Sequence, residues 1–164
     1  MARLRWIMAV LATLSQVVLV VTAATLLYVA FTDFKEYTIR NELVLVLAGL
    51  FFLHAVLSGR WTSLHWNLGF ALVMFAVMLY FYSQKLMGGG DLKLLTVAFL
   101  WVGLGCALPF AVLMLIFAAL HTLSAKLEWV HYQEVNGRKR IPFAPSVAAA
   151  LIGVFMLGCL QPRF

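Results

Sequence analysis

From Trp6 to Phe31 no residue carries a charge, and that run decides what the chain can fold into. About 20 consecutive apolar residues suffice to cross the hydrocarbon core of a bilayer as a helix. The pattern then repeats. Leu43 to Leu57 is a shorter apolar run, and Asn41 and Glu42 before it suit the headgroup layer. Leu64 to Tyr82 is a third, rimmed by Trp61, Trp66, Tyr80 and Tyr82 as an aromatic belt. Leu94 to Leu123 is too long for one ordinary span and short for two. Gly103, Gly105 and Pro109 near its middle predict two short helices joined by a tight turn. A last run extends from about Phe143 to Leu160. The expected fold class is an all-α integral membrane protein with about six transmembrane helices, in one domain over residues 1–164.

Composition agrees with this reading and closes off others. The chain is 65% hydrophobic and 11% charged, where a soluble domain carries about 25% charged residues. Its net charge of +6 does not indicate nucleic acid, because the basic residues lie between apolar runs and not on one soluble face. There they obey the positive-inside rule. Lys35, Arg40, Lys85, Lys93, Lys126, Arg138, Lys139 and Arg140 fall on one side, and Arg3, Arg5, Arg60 and Arg163 on the other. The first group is expected in the cytoplasm, with both termini outside. Arg3 and Arg5 before an apolar run resemble the start of a signal peptide, but the run continues well past an h-region of about 7–15 residues. It is read as a retained first helix. The basic connection from Ser124 to Ile141 reads as a cytoplasmic anchor or a docking surface for substrate or anionic lipid. Cys106 and Cys159 form no C-x-x-C and are expected as buried thiols.

The chain has two aspartates, Asp33 in "FTDFKEYTIRN" and Asp91 in "KLMGGGDLKLL". Two predicted helices separate them, so the chain crosses and returns, and both lie at the same membrane face. Taken alone they could be interfacial helix-end residues, with Asp33 a solvated acid beside Lys35 and Glu36. They could also form a dyad. Peptide hydrolysis needs a base for water and an acid for the leaving amine, and two carboxyls sharing one proton supply both. Glycines at 88, 89 and 90 would let a substrate backbone approach Asp91. Other proteolytic chemistries lack their motifs. His54, His65, His121 and His131 are scattered with no H-E-x-x-H, and each reads as a packing or interfacial residue. Met74, Met78 and Met87 read as helix packing. Glu36 and Glu42 fall outside the pair.

At these residues the chain resembles type IV prepilin peptidases, bacterial members of the GxGD aspartyl proteases. "MGGGDLK" contains G-x-G-D-x-K after the third predicted span. "DFKEYTIRN" resembles the family's D…I-P-N segment, with Asp33, Ile39 and Asn41 aligned. "IPFAPSVAAALIG" resembles the Pro-Phe-Gly-Pro start of the last helix. Arg40 stands for the usual proline and Ala144 for the common glycine, and neither is expected to touch a catalytic group. The extra domain with paired C-x-x-C motifs of the bifunctional members is not found, so the resemblance is to the short, peptidase-only type associated with Flp (tight-adherence) pili.

The resemblance implies a GxGD-type intramembrane protease fold in the bacterial inner membrane. It implies Asp33 and Asp91 as the catalytic pair facing the cytoplasm, and a prepilin substrate with a basic leader and a hydrophobic helix, cut after a glycine. Gly88, Gly89, Gly90, Lys93 and Asn41 are the substrate-side candidates. Asn41 equally suits a cap at the start of the second helix, and Lys93 a positive-inside anchor. No metal, cofactor or methyl donor is implied, and the partners are the prepilin and membrane lipids, with no nucleic acid. Two rivals stand beside this reading. One is a small transporter or channel subunit using the aspartates as ion or proton sites. The other is a non-catalytic pilus assembly factor.

Overall fold

The computed structural model describes residues 2–59, 61–126, 133–135, 138–140 and 142–159. Among them are six α-helices: α1 (Ala2–Glu36), α2 (Asn41–Leu57), α3 (Trp61–Ser83), α4 (Gly89–Val102), α5 (Ala107–Lys126) and α6 (Ala144–Met156). A single 3-10 turn, Leu104–Cys106, links α4 to α5. The connection between α5 and α6 carries a short antiparallel pair, β1 (Gln133–Val135) and β2 (Arg138–Arg140), in the register Glu134 opposite Lys139. That ribbon is the one departure from the all-helical expectation among the described residues. His131, Arg60 and Arg163 lie outside them.

The helices divide by length. Three are long and apolar enough to cross a membrane, over Arg5–Glu36, Ser63–Ser83 and Leu104–Ser124. The other three are short. Fourteen residues of α4 rise only about 21 Å at about 1.5 Å each, against a hydrocarbon core of about 30 Å. Six helices therefore form as expected, but three of them have the length of a span. Of these, α4 and α6 are sheltered, whereas α2 buries one face and leaves Leu45, Val46, Phe52 and Leu53 exposed. Most of α4 is buried, from Leu92 through Val102 with Lys93 and Thr96 excepted, whereas α1, α3 and α5 turn large apolar side chains outward. Val20, Leu27, Leu72, Val73, Leu108 and Leu115 are all exposed, a surface suited to lipid and hazardous in water.

Packing follows from which helices touch. Both α1 and α4 pack against α2 and α6, so the four form a ring in which α1 and α4 face each other. Outside the ring, α3 lies on α4 and α5 on α6. Trp101 of α4 pins the centre. It is fully buried against Phe51 and His54 of α2 and Phe155 of α6, and its Nε1 donates to the Leu47 carbonyl at 3.0 Å. Buried hydroxyls on α1 stay satisfied by bonding back to their own helix: Thr22 to the Val18 carbonyl and Thr32 to that of Val29.

The break after α4 falls where the glycines predict it. Gly103 has φ +59 and ψ −175, a conformation that L side chains rarely adopt, and a Cβ there would collide with the Asn67 side chain. Asn67 of α3 in turn donates to the Leu100 carbonyl, one of the last-turn acceptors that α4 leaves open. Pro109 sits within the first turn of α5, where its missing N–H costs nothing.

One expectation is overturned at this end of the bundle. Cys106 and Cys159 are not free thiols but a disulfide, with Cα atoms 6.2 Å apart. The turn after α4 and the end of α6 arrive together, and that separation lies in the range a disulfide requires. It ties α4 to α6 at the end of the ring away from both aspartates.

Candidate active site

Asp91 is positioned by the start of α4. Gly88 caps the helix in an extended conformation, and Asp91 sits in the first turn, where the helix dipole favours an acid. Its carboxylate folds back over the cap: a Cβ on Gly88 would lie 2.9 Å from Asp91 Oδ2. The neighbouring glycines are also used within the protein. A Cβ on Gly89 would meet the Tyr82 ring at 3.4 Å, and one on Gly90 would meet Ile39 Cβ at 3.2 Å. None of the three has positive φ. The absent side chains thus make room for the site's own carboxylate, for α3, and for the α1–α2 connection.

Asp33 is positioned by the end of α1 and is only 5% exposed, so it is not a solvated loop acid. Burial of a carboxylate demands a donor, and α6 supplies one. The Ala144 N–H, at the first position of that helix, donates to Asp33 Oδ2 at 3.0 Å. The helix start provides both an otherwise unused N–H and a favourable dipole. Ala144 therefore does touch a candidate catalytic group, contrary to expectation. It does so through its backbone, which a comparison of side chains cannot register. The chain leaves α1 through Tyr37, whose φ of +52 is uncommon for a residue with a side chain.

Two contacts draw the aspartate segments to the same end of the ring. Ile39 packs on Gly90, and Lys93 Nζ donates to Asn41 Oδ1 at 2.9 Å. Asn41 is thus not the cap of α2. That position belongs to Arg40, which makes no side-chain capping bond and instead pairs with Glu36 at 3.4 Å on the surface. Lys93 and Asn41 are both exposed. The structure therefore gathers the end of α1 and the starts of α2, α4 and α6. His121, near the end of α5, joins them, with Nδ1 3.4 Å from Ser146 Oγ on α6. Neither His121 nor Ser146 carries a sequence motif that would single it out. Among the described residues no three His, Cys, Asp or Glu side chains cluster as a metal site would require.

A bundle of apolar helices that brings two carboxylates, a glycine run and a paired lysine to one end is a membrane protein with a helix-end acid site. The sequence profile of the type IV leader peptidase family matches residues 20–124, which hold Asp33, Asn41, Gly88 to Gly90, Asp91 and Lys93. The chain belongs to that family and is a prepilin-leader-peptidase type of protease. No curated protein and no solved structure matches it.

Proposed function

We propose that the protein is an aspartyl endopeptidase that removes the leader of Flp-type prepilins at the cytoplasmic face of the inner membrane. The observation that carries this reading is the convergence at one end of the ring. Buried Asp33 is held by the Ala144 N–H, and the segment after it is fastened to the start of α4 by Ile39 on Gly90 and Lys93 on Asn41. One carboxylate takes a proton from water, which attacks the scissile carbonyl carbon. The other, protonated, gives its proton to the carbonyl oxygen, and the amine leaves with a proton returned through the pair. Water is the nucleophile, and no covalent intermediate forms.

The disulfide supports the orientation independently of charge. Disulfides persist in oxidising compartments and are rare in the cytosol. With Cys106 and Cys159 at the far end of the ring, the aspartates fall on the reducing side, as Lys35, Arg40, Lys85 and Lys93 also indicate. A prepilin's hydrophobic helix would lie along the bundle in lipid, its leader reaching the cytoplasmic end. Both the leader and these connections are basic, so recognition rests on the helix and local contacts rather than long-range attraction. Both cysteines of the chain are committed to the disulfide, and the proposal assigns proteolysis without N-methylation.

Co-expression with a Flp-type prepilin tests the reading. The expected product is a pilin beginning just after the leader's last glycine, with an unmethylated N-terminus by mass, formed equally well with a chelator present in membrane extracts. Prepilin that stays full length would overturn it.

A further inference from the structure

The ribbon between α5 and α6 sorts its charges by its register. Its strands β1 and β2 run antiparallel, with Gln133 opposite Arg140, Glu134 opposite Lys139 and Val135 opposite Arg138. Successive residues of a strand alternate between the two faces, and directly opposed residues share one. Lys139 therefore shares a face with Glu134, an opposed pair whose charges offset each other. Arg138 and Arg140 fall together on the other face, beside Val135 and Gln133, with no acid among the four. One face of the ribbon is neutral and the other is basic.

Such a ribbon needs a support. A two-stranded hairpin this short is marginal in water by itself. Among the described residues its substantial packing is strand against strand. The chain keeps it at the membrane surface. On one side the apolar span of α5 ends at Ser124. On the other, Arg140 precedes Ala144, the first residue of α6, by four residues, a reach of at most about 14 Å. Headgroups of the adjoining leaflet lie within that range. Arginine suits their phosphates, because its planar fork makes two parallel bonds where lysine offers a point charge. A basic leader would be repelled from the same face. We propose that the α5–α6 ribbon docks on anionic lipid headgroups through its Arg138 and Arg140 face, and so anchors the start of α6, whose Ala144 N–H holds Asp33. The docking goes beyond the protease reading and does not need it; the effect on Asp33 rests on that reading.

The test uses the purified full-length protein in lipid nanodiscs. A nitroxide is placed at Val135→Cys, on the arginine face, or at Lys139→Cys, on the other. The native cysteines are paired in the disulfide and do not take the label. The readout is collision of the nitroxide with a neutral, water-soluble nickel chelate. Adding phosphatidylglycerol to phosphatidylcholine nanodiscs should lower collision at position 135 by about twofold or more and at 139 by less, and high salt should reverse the change. Arg138→Gln with Arg140→Gln should abolish it. Equal collision at 135 in both lipids overturns the docking. Protection that comes only with added prepilin overturns it too, since the ribbon would then meet substrate. The lipid and salt comparisons need no arginine variant, so they decide even if that variant does not fold. For the anchoring, unlabelled protein should cleave prepilin several-fold faster with phosphatidylglycerol, and the double arginine variant should lose that gain. A lipid effect at 135 with none on cleavage overturns the anchoring alone. Failure to cleave in either lipid counts against the protease reading, and the collision data still decide the docking.

Discussion

At the residue scale, the glycines before Asp91 have a physical reason that differs from the one their sequence suggests. Read alone, G-G-G-D offers a floor for a substrate backbone. In the fold, each missing side chain is already accounted for by Asp91, Tyr82 or Ile39. The consequences differ by position. Gly88→Ala places a Cβ 2.9 Å from Asp91 Oδ2, and the yielding partner is the mobile tip of a side chain. Cleavage should therefore fall at least about tenfold while the thermal midpoint in detergent barely changes, since one ångström of misplacement is costly in a catalytic group. Lys93 and Asn41 form an exposed, charge-assisted bond worth about 1 kcal/mol or less in stability. Lys93→Met and Asn41→Ala should each lower cleavage several-fold, and the double variant should do no worse than the stronger single one in a cycle of rate constants. The sequence places Lys93 in a motif but gives it no partner, because Asn41 lies 52 residues earlier.

At the element scale, the site is a meeting of helix ends, and its loops carry the strain. The described residues with side chains and positive φ are Tyr37 and Lys85, one just after Asp33 and one just before the glycine run. Lys85, at φ +58, follows α3 where its N–H bonds the Tyr82 carbonyl and the Leu86 N–H bonds that of Phe81. That double closure is a Schellman-type helix end, where glycine is the usual residue. Lys85→Gly should therefore raise the thermal midpoint slightly, relieving about 1 kcal/mol of backbone cost less what glycine adds to the unfolded chain. No rise would mean the turn is unstrained. The helices themselves were legible: apolar runs located all six, and Gly103 marked the break that its φ of +59 requires. Their depths were not. Hydropathy does not distinguish a helix facing lipid from one wrapped by neighbours, so the short α4 and α6 read as spans like the rest.

At the scale of the whole molecule, two aspartates on one face could be deduced by counting crossings, but the other features that frame the site could not. The Ala144 N–H has no side chain to betray it, His121 carries no motif, and the disulfide joins cysteines 53 residues apart with no spacing signature. That disulfide fastens α4, which carries Asp91, to α6, which holds Asp33. Closing a loop of this length is worth up to about 4 kcal/mol on chain-entropy grounds, and less where the helices persist in the unfolded state. Reductant should lower the thermal midpoint, and a maleimide should label both cysteines only after reduction; labelling without reduction would contradict the pairing. Proteolysis itself, however, rests on the two carboxylates. The most direct measurement is the rate of prepilin cleavage by purified protein carrying Asp33→Asn or Asp91→Asn, each alone, with folding verified by the intact disulfide. Either change should slow cleavage by about 100-fold to 10,000-fold, the range for a lost acid or base. Wild-type cleavage by either variant would contradict a catalytic role for that aspartate.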